Sequence, residues 1–278
     1  MLDNARSARV RAVARLSTKD ERAATGSFLL EGPQAVREAL AFRPELLLEV
    51  FATPTALERH PELREAAEDA DVDIEYVTEQ VLEAMADTVT PQGVVAVCRQ
   101  FPTSVRRIFS DQPHLVAILE EVRDPGNAGT IIRAADAAGA DAVILTGRAV
   151  DPYNPKVVRA TTGSLFHLPV ALAPELAPVL ARARESGLAV LAADIKGSDL
   201  LAAREAGTLA RPTAWLFGNE ARGLTDENLA LADEAVSVPI YGQAESMNLA
   251  TAASVCLYES AFAQRSTAPR SGWSDTNP

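Results

Sequence analysis

Short apolar runs alternate with amphipathic ones along most of the chain. Residues 6–16 carry arginines on one side of a helical repeat and read as a short helix. FLLEG, Phe28–Gly32, reads as a buried strand that ends at Gly32-Pro33. Pro33 suits the first helical position, and QAVREAL continues with helical spacing to Phe42. LLLEVFA, Leu46–Ala52, is the next strand. Residues 55–70 form an acidic helix, and VDIEYVT, Val72–Thr78, alternates like a strand. EQVLEAMAD is a short helix, and Val94–Cys98 closes this part as a strand. Such alternation over about 100 residues makes a compact α/β domain, 1–103, with no catalytic constellation of its own. FPTSVRRIFSDQPH, with two prolines and an Arg106-Arg107 pair, reads as a linker centred on 104–113.

A second domain spans 114–264. LVAILEEV, Leu115–Val122, is nearly continuous in apolar residues, as in a buried parallel sheet. Pro125-Gly126 turns the chain, Asn127 caps a helix, and Gly139 ends it before the strand ADAVIL. That βαβ unit implies a right-handed crossover. DPYNPKVVRATTGSLFHLP reads as a loop, with HLPVAL a short strand. Helix 174–187, strand GLAVLAAD, helix 197–206, strand Ala214–Phe217 and helix 225–232 follow. AVSVPI then stops at Pro239-Ile240, and a polar turn leads to Asn248. The next charge is Glu259, so the helix that begins there is expected to be packed on nearly every side. The Ser/Thr/Pro/Gly-rich tail, 265–278, reads as disordered.

Charge changes this picture in one respect. The net charge of −12 argues against a nucleic-acid partner until its distribution is considered. Residues 44–90 hold thirteen acidic and two basic side chains, a net −11, while residues 1–22 hold six basic and three acidic ones. A local basic surface is therefore available, with the acidic segment expected to face away from it. No apolar run reaches the roughly 18 residues of a membrane span, and the N-terminus lacks the apolar core of a signal peptide. Cys98 and Cys256 lie in apolar runs and read as buried reduced thiols, which makes the cytoplasm the expected compartment. Neither His60, His114, His167 nor the cysteines form a metal-ligand pattern.

Three polar loops follow three apolar strands: RDPGNAGTIIR, FGNEARGL and IYGQAESMNL. At the carboxyl ends of parallel strands such loops converge on one site. Singly, each residue has a plain structural use. Asn127 serves equally as a helix cap, Arg133 as a solvated charge, Glu220 as a cap after GNE, and Ser246 or Asn248 as the cap of the last helix. No glycine pattern for a dinucleotide or phosphate loop is present.

Together the loops resemble the SpoU (TrmH-type) branch of the SPOUT RNA methyltransferases. Asn127, Gly129 and Arg133 match its N-x-G-x-x-x-R motif. Phe217, Gly218, Asn219, Glu220 and Gly223 match F-G-N-E-x-x-G. Pro239, Ile240, Gly242, Ser246, Asn248 and Leu249 match P-I-x-G-x-x-x-S-x-N-L. FLLEG followed by TPQGVVAVC resembles the substrate-binding domain that precedes the catalytic one in ribosomal-RNA members.

The resemblance implies an α/β fold with a trefoil-knotted parallel sheet, preceded by a small α/β RNA-binding domain. It implies ribose 2′-O-methylation of ribosomal RNA with S-adenosylmethionine, by a homodimer whose site lies near the subunit interface. A transfer-RNA enzyme is the in-class alternative, against which the N-terminal domain argues; a non-catalytic RNA- or cofactor-binding protein is the other. By similarity Arg133 faces the ribose, supported by Asn127, Glu220, Ser246 and Asn248. Phe217, Gly218, Asn219, Gly223, Ile240, Gly242, Met247 and Leu249 surround the cofactor. An arginine, with a pKa of about 12.5 or more, orients and stabilises charge better than it accepts a proton. Arg6, Arg9, Arg11, Lys156 and Arg159 are the expected RNA contacts, within a basic stretch that extends to Arg22.

Overall fold

The computed structural model describes residues 1–267; the tail from 268 onward lies outside them, while residues 265–267 belong to the last helix. Among the described residues ten strands form two sheets. β1 (Ser27–Glu31), β2 (Leu47–Ala52), β3 (Ile74–Tyr76) and β4 (Val94–Arg99) make the first, in the order β1-β4-β2-β3. β5 (Leu115–Glu120), β6 (Ala142–Thr146), β7 (Val170–Ala173), β8 (Ala189–Asp199), β9 (Thr213–Phe217) and β10 (Glu234–Ser237) make the second, in the order β10-β8-β9-β5-β6-β7. Every pair in the second sheet is parallel, so all six carboxyl ends share one edge.

Around the first sheet lie α1 (Ala8–Arg15), α2 (Lys19–Thr25), α3 (Pro33–Phe42), α4 (Pro54–Arg59), α5 (Glu62–Asp69) and α6 (Glu79–Met85). The single acidic helix expected over 55–70 is thus two. Pro61 lacks an N–H and disfavours helical backbone at His60, whose φ and ψ are −129° and 63°. The alternating strand expected at Val72–Thr78 keeps only its middle three residues.

Around the second sheet lie α7 (Val105–Ser110), α8 (Pro125–Ala138), α9 (Pro155–Thr161), α10 (Leu176–Glu185), α11 (Leu200–Glu205), α12 (Asp226–Ala230) and α13 (Leu249–Thr267). The stretch read as a linker contains α7, which Ser104 caps and which buries Ile108 and Phe109 against the second sheet. The stretch read as a loop after β6 contains α9 and a 3₁₀ turn, Ser164–Phe166. The cap of α8 is Asp124, whose carboxylate accepts the Asn127 N–H, and Pro125 is the first helical residue. The amide side chain of Asn127 is thereby free for other use.

Within a single chain α13 is packed on one face and open on the other. Its inner face packs on α8 and β9, with Trp215 Nε1 donating to Ser260 Oγ at 2.9 Å. Its outer face leaves Tyr258 and Phe262 exposed, their rings 5.6 Å apart. Cys98 and Cys256 are buried free thiols; burial pushes both upward, Cys256 to about 12.

The two sheets are joined by one continuous apolar cluster. Phe28 of β1 lies 4.9 Å from the Tyr153 ring, and Phe101 stacks on Phe166 at 5.8 Å. Tyr153 Oη accepts the Phe101 N–H at 2.9 Å, and burial raises its phenol to about 12. Arg22, only 2% exposed, donates through Nε and Nη2 to Asp151 Oδ2 at 2.9 and 2.7 Å. Its Nη1 reaches the carbonyls of Leu16 and Ser17. Arg159 pairs with Glu31 at 2.7 Å and Asp87 at 3.0 Å. Arg22 is not available to nucleic acid, and its charge is tolerable in the interface because it is fully paired, whereas Arg159 is 30% exposed and engaged by its two carboxylates.

Candidate active site

The loops after β10, β8, β9 and β5 meet at one edge because those strands are neighbours in the sheet. Glu220 ties two of them together. Its Oε1 accepts the Asp124 N–H at 3.0 Å and its Oε2 the Arg123 N–H at 3.2 Å. Asn127 Nδ2 donates to Glu220 Oε1 at 3.5 Å, and Asn248 Nδ2 donates to Asn127 Oδ1 at 2.9 Å. A carboxylate only accepts, so Glu220 sets the orientation of Asn127, which in turn sets that of Asn248. Asn248 Oδ1 then accepts the Thr251 N–H in the first turn of α13. Asn219 Nδ2 donates to the Glu121 carbonyl at 2.8 Å. The three motif loops are therefore one hydrogen-bonded unit, with Asn248 serving as helix cap and site residue at once.

Arg133 stands apart from that unit. Six residues along a helix are about 9 Å of rise and about 120° of rotation from Asn127. Its Nη1 donates instead to Thr162 Oγ1 at 3.2 Å. Asn127, Glu220, Ser246 and Asn248 do not hold the arginine, contrary to the expectation from sequence. Ser246 is exposed on the wall of the adjoining cleft.

That cleft has a volume of about 430 Å³, within the usual range for a small-molecule site. Phe217, Gly218, Asn219, Gly223, Ile240, Met247 and Leu249 all line it. Gly242 does not: it is exposed, with open space where a Cβ would be. Gly218 is different. A Cβ there would stand 2.5 Å from the Gly223 carbonyl carbon and 2.6 Å from the Leu224 nitrogen. The loop closes on itself through mutual backbone bonds between Asn219 and Gly223, whose φ of +66° glycine adopts freely. Gly218→Ala is expected to open this loop and weaken binding at the cleft by at least tenfold, about 1.4 kcal/mol, as titration calorimetry would measure.

A fourth wall was missed in the sequence. β8 pairs Ala192 with Ala235 and Ser198 with the next residue, Val236, so residues 193–197 bulge out of the ladder. Ala193, Asp194, Ile195 and Lys196 of this excursion line the cleft. It closes because Gly197 has no Cβ, which would lie 2.4 Å from the Val236 nitrogen. The signal was a polar segment, DIKG, after an apolar strand, the same sign that marked the other three loops.

Of the expected RNA contacts, Arg9 is exposed but pairs with Glu49 and Glu75 and lies over the Phe51 ring; the two carboxylates outweigh its partial desolvation and raise its guanidinium above the ordinary arginine value. The acidic segment thus neighbours α1 rather than lying away from it. Arg6, Arg11 and Lys156 are exposed and form no ion pair among the described residues. Arg11 and Arg15 border a shallow depression with Ser17 and Thr18.

Residues 114–258 match the SpoU rRNA Methylase family model, and residues 29–104 match the model for RNA 2′-O ribose methyltransferase substrate binding. The chain belongs to the SpoU rRNA methylase family. A Bacillus subtilis relative, the 23S rRNA (guanosine(2553)-2′-O)-methyltransferase RlmP, is 32% identical over 92% of this chain and 97% of its own length. The AdoMet-bound rRNA methyltransferase from Sinorhizobium meliloti superposes with a TM-score of 0.81 at 31% identity, covering 96% and 98% of the two chains. The SpoU methyltransferase AviRb from Streptomyces viridochromogenes, solved with AdoMet, superposes at 0.80 and 30% identity over 94% and 100%. The all-parallel second sheet is thus a SpoU fold, and β1–β4 with their helices occupy the position of the family's substrate-binding domain.

Proposed function

We propose that this SpoU protein transfers a methyl group from S-adenosylmethionine to the 2′-hydroxyl of a ribose in ribosomal RNA, in the large subunit as in its named relatives. The observation that carries this reading is the Asn248–Asn127–Glu220 chain, which binds the three motif loops beside a cleft of fitting size.

The cleft's chemistry fits the cofactor. Ile240, Leu249 and Phe217 offer apolar surface to an adenine, and the Gly218–Gly223 turn offers close backbone. Asp194 and Asp226 suit hydroxyl and ammonium groups, while Lys196 and Arg222 suit a carboxylate. When bound, S-adenosylmethionine supplies an electrophilic methyl carbon on a sulfonium. Glu220, its oxygens already accepting N–H groups, anchors the loops. Arg133, always charged, holds the ribose with its phosphate and steadies the charge that grows on the 2′-oxygen. Arg6, Arg11 and Lys156 grip RNA phosphates, and the four-stranded domain recognises the RNA by shape.

The working form is a homodimer in the cytoplasm. Exposed Tyr258 and Phe262 on α13 support a second copy there, and Leu249 at the start of the same helix, which lines the cleft, supports a site near that interface. No described helix is long and apolar enough to cross a membrane. A trefoil knot formed by the segment from β10 to α13 is part of the same proposal.

The test is incubation with labelled S-adenosylmethionine and separate, in vitro transcribed ribosomal and transfer RNAs. Label on the ribosomal RNA alone, at a 2′-oxygen, is expected. Label on transfer RNA alone sinks the substrate assignment, and binding without transfer to either sinks the enzyme assignment.

A further inference from the structure

Thr162 occupies a conformation that its residue type disfavours. It ends α9 with φ 53° and ψ 32°, left-handed backbone that a β-branched side chain rarely adopts. Glycine fits such a position more cheaply. A threonine kept there has something to do with its side chain, since strain of this kind persists where the surroundings impose it. That side chain faces Arg133: Thr162 Oγ1 is the sole hydrogen-bond acceptor for the guanidinium among the described residues.

The turn is clamped from the first sheet's side. Gly163, at φ 100°, lies directly against α3: a Cβ there would meet Glu38 Cγ at 2.4 Å and Glu38 Cβ at 2.7 Å. Glu38 also accepts from His167 at 3.2 Å, and the other ring nitrogen of His167 contacts Asp136 Oδ2 at 2.8 Å. Asp136 lies three residues beyond Arg133, on the same helix. On α9's other side, Gly129 lets α8 approach Val157 and Ala160 closely. Helix α8, which carries Arg133, and the turn, which carries Thr162, are thus both held in place from the N-terminal domain.

We infer that Thr162 is a positioning residue, whose hydroxyl, aimed by a left-handed turn clamped against Glu38, orients the Arg133 guanidinium for methyl transfer. The inference rests on the role given to Arg133 above. A long arginine at an exposed position has many rotamers, and one fixed acceptor removes part of that freedom before the substrate arrives.

The test compares Thr162→Val, Thr162→Ser, Thr162→Gly and Arg133→Ala in steady-state transfer from labelled S-adenosylmethionine to in vitro transcribed ribosomal RNA, with thermal midpoints measured alongside. Loss of one such hydrogen bond is expected to lower kcat roughly fivefold to tenfold in Thr162→Val. The KM for RNA and the affinity for S-adenosylmethionine should stay within about twofold, and Thr162→Ser should keep kcat within about twofold of the parent. Thr162→Gly separates strain from function: it should be as slow as Thr162→Val without losing thermal stability. Parent-like kcat in both Val and Gly variants, a rise in KM alone, or a kcat that falls only in step with the midpoint overturns the inference. If Arg133→Ala is inactive while Thr162→Val is normal, the inference fails and the role of Arg133 stands. If Arg133→Ala is fully active, both fail.

Discussion

Arg133→Ala is expected to lose methyl transfer by roughly 100-fold or more while binding S-adenosylmethionine as tightly as the parent. Removing one preorganised group aimed at developing charge typically costs about 10²–10³ in rate. The cleft is separate from this side chain: no atom of Arg133 lines it, and the loops around it are tied by Glu220, Asn127 and Asn248 without help from Arg133. Calorimetric titration with S-adenosylmethionine and single-turnover transfer to ribosomal RNA measure the two quantities on the same preparation. Retained transfer, or loss of cofactor binding in parallel, contradicts the assignment. Arg133→Lys should not rescue the rate, because an ammonium reproduces the charge but not the planar fork that grips a phosphate from two directions.

Asp151→Ala is expected to destabilise the fold by about 3–5 kcal/mol. Arg22 is 2% exposed, and Asp151 takes two of its N–H groups. Without the carboxylate a full charge remains buried between the two sheets with only the Leu16 and Ser17 carbonyls. For a chain of this size each kcal/mol moves the thermal midpoint by about 2–4 °C, so the drop should be unmistakable by calorimetry. The double variant Arg22→Met with Asp151→Ala should recover much of the loss, because it removes the stranded charge along with its partner. A single variant within about 1 kcal/mol of the parent would show that water reaches Arg22 when the pair is broken.

The misreadings of the sequence share a physical origin. Asn127 has the right residue type and place to cap α8, yet Asp124 does so, because capping needs only a carboxylate three residues before the N–H it accepts. Arg9, Arg22 and Arg159 had the charge of RNA contacts, but each meets acids from distant segments, Glu49 and Glu75, Asp151, and Glu31 with Asp87. Net charge along a chain does not tell which charges neutralise one another in space. The excursion of residues 193–197 was hidden because a bulge is defined by its partner strand, and β10 lies about forty residues away.

By itself the sequence determined the alternation of strands and helices, the two-sheet architecture it implies, and the three loops that carry the chemistry. Apolar periodicity and short motifs are local properties, and burial and backbone geometry act on them locally. Tertiary structure alone decided which side chains those loops offer to one another. It joined Asn248 to Asn127 across 121 residues and Glu220 to Asp124 across 96. It turned Arg133 toward Thr162, withdrew Arg22 into the seam between the sheets and paired Arg159 with Glu31 and Asp87. Hydrogen bonds and ion pairs act over a few ångströms, and only the packed strand order brings these residues within that reach.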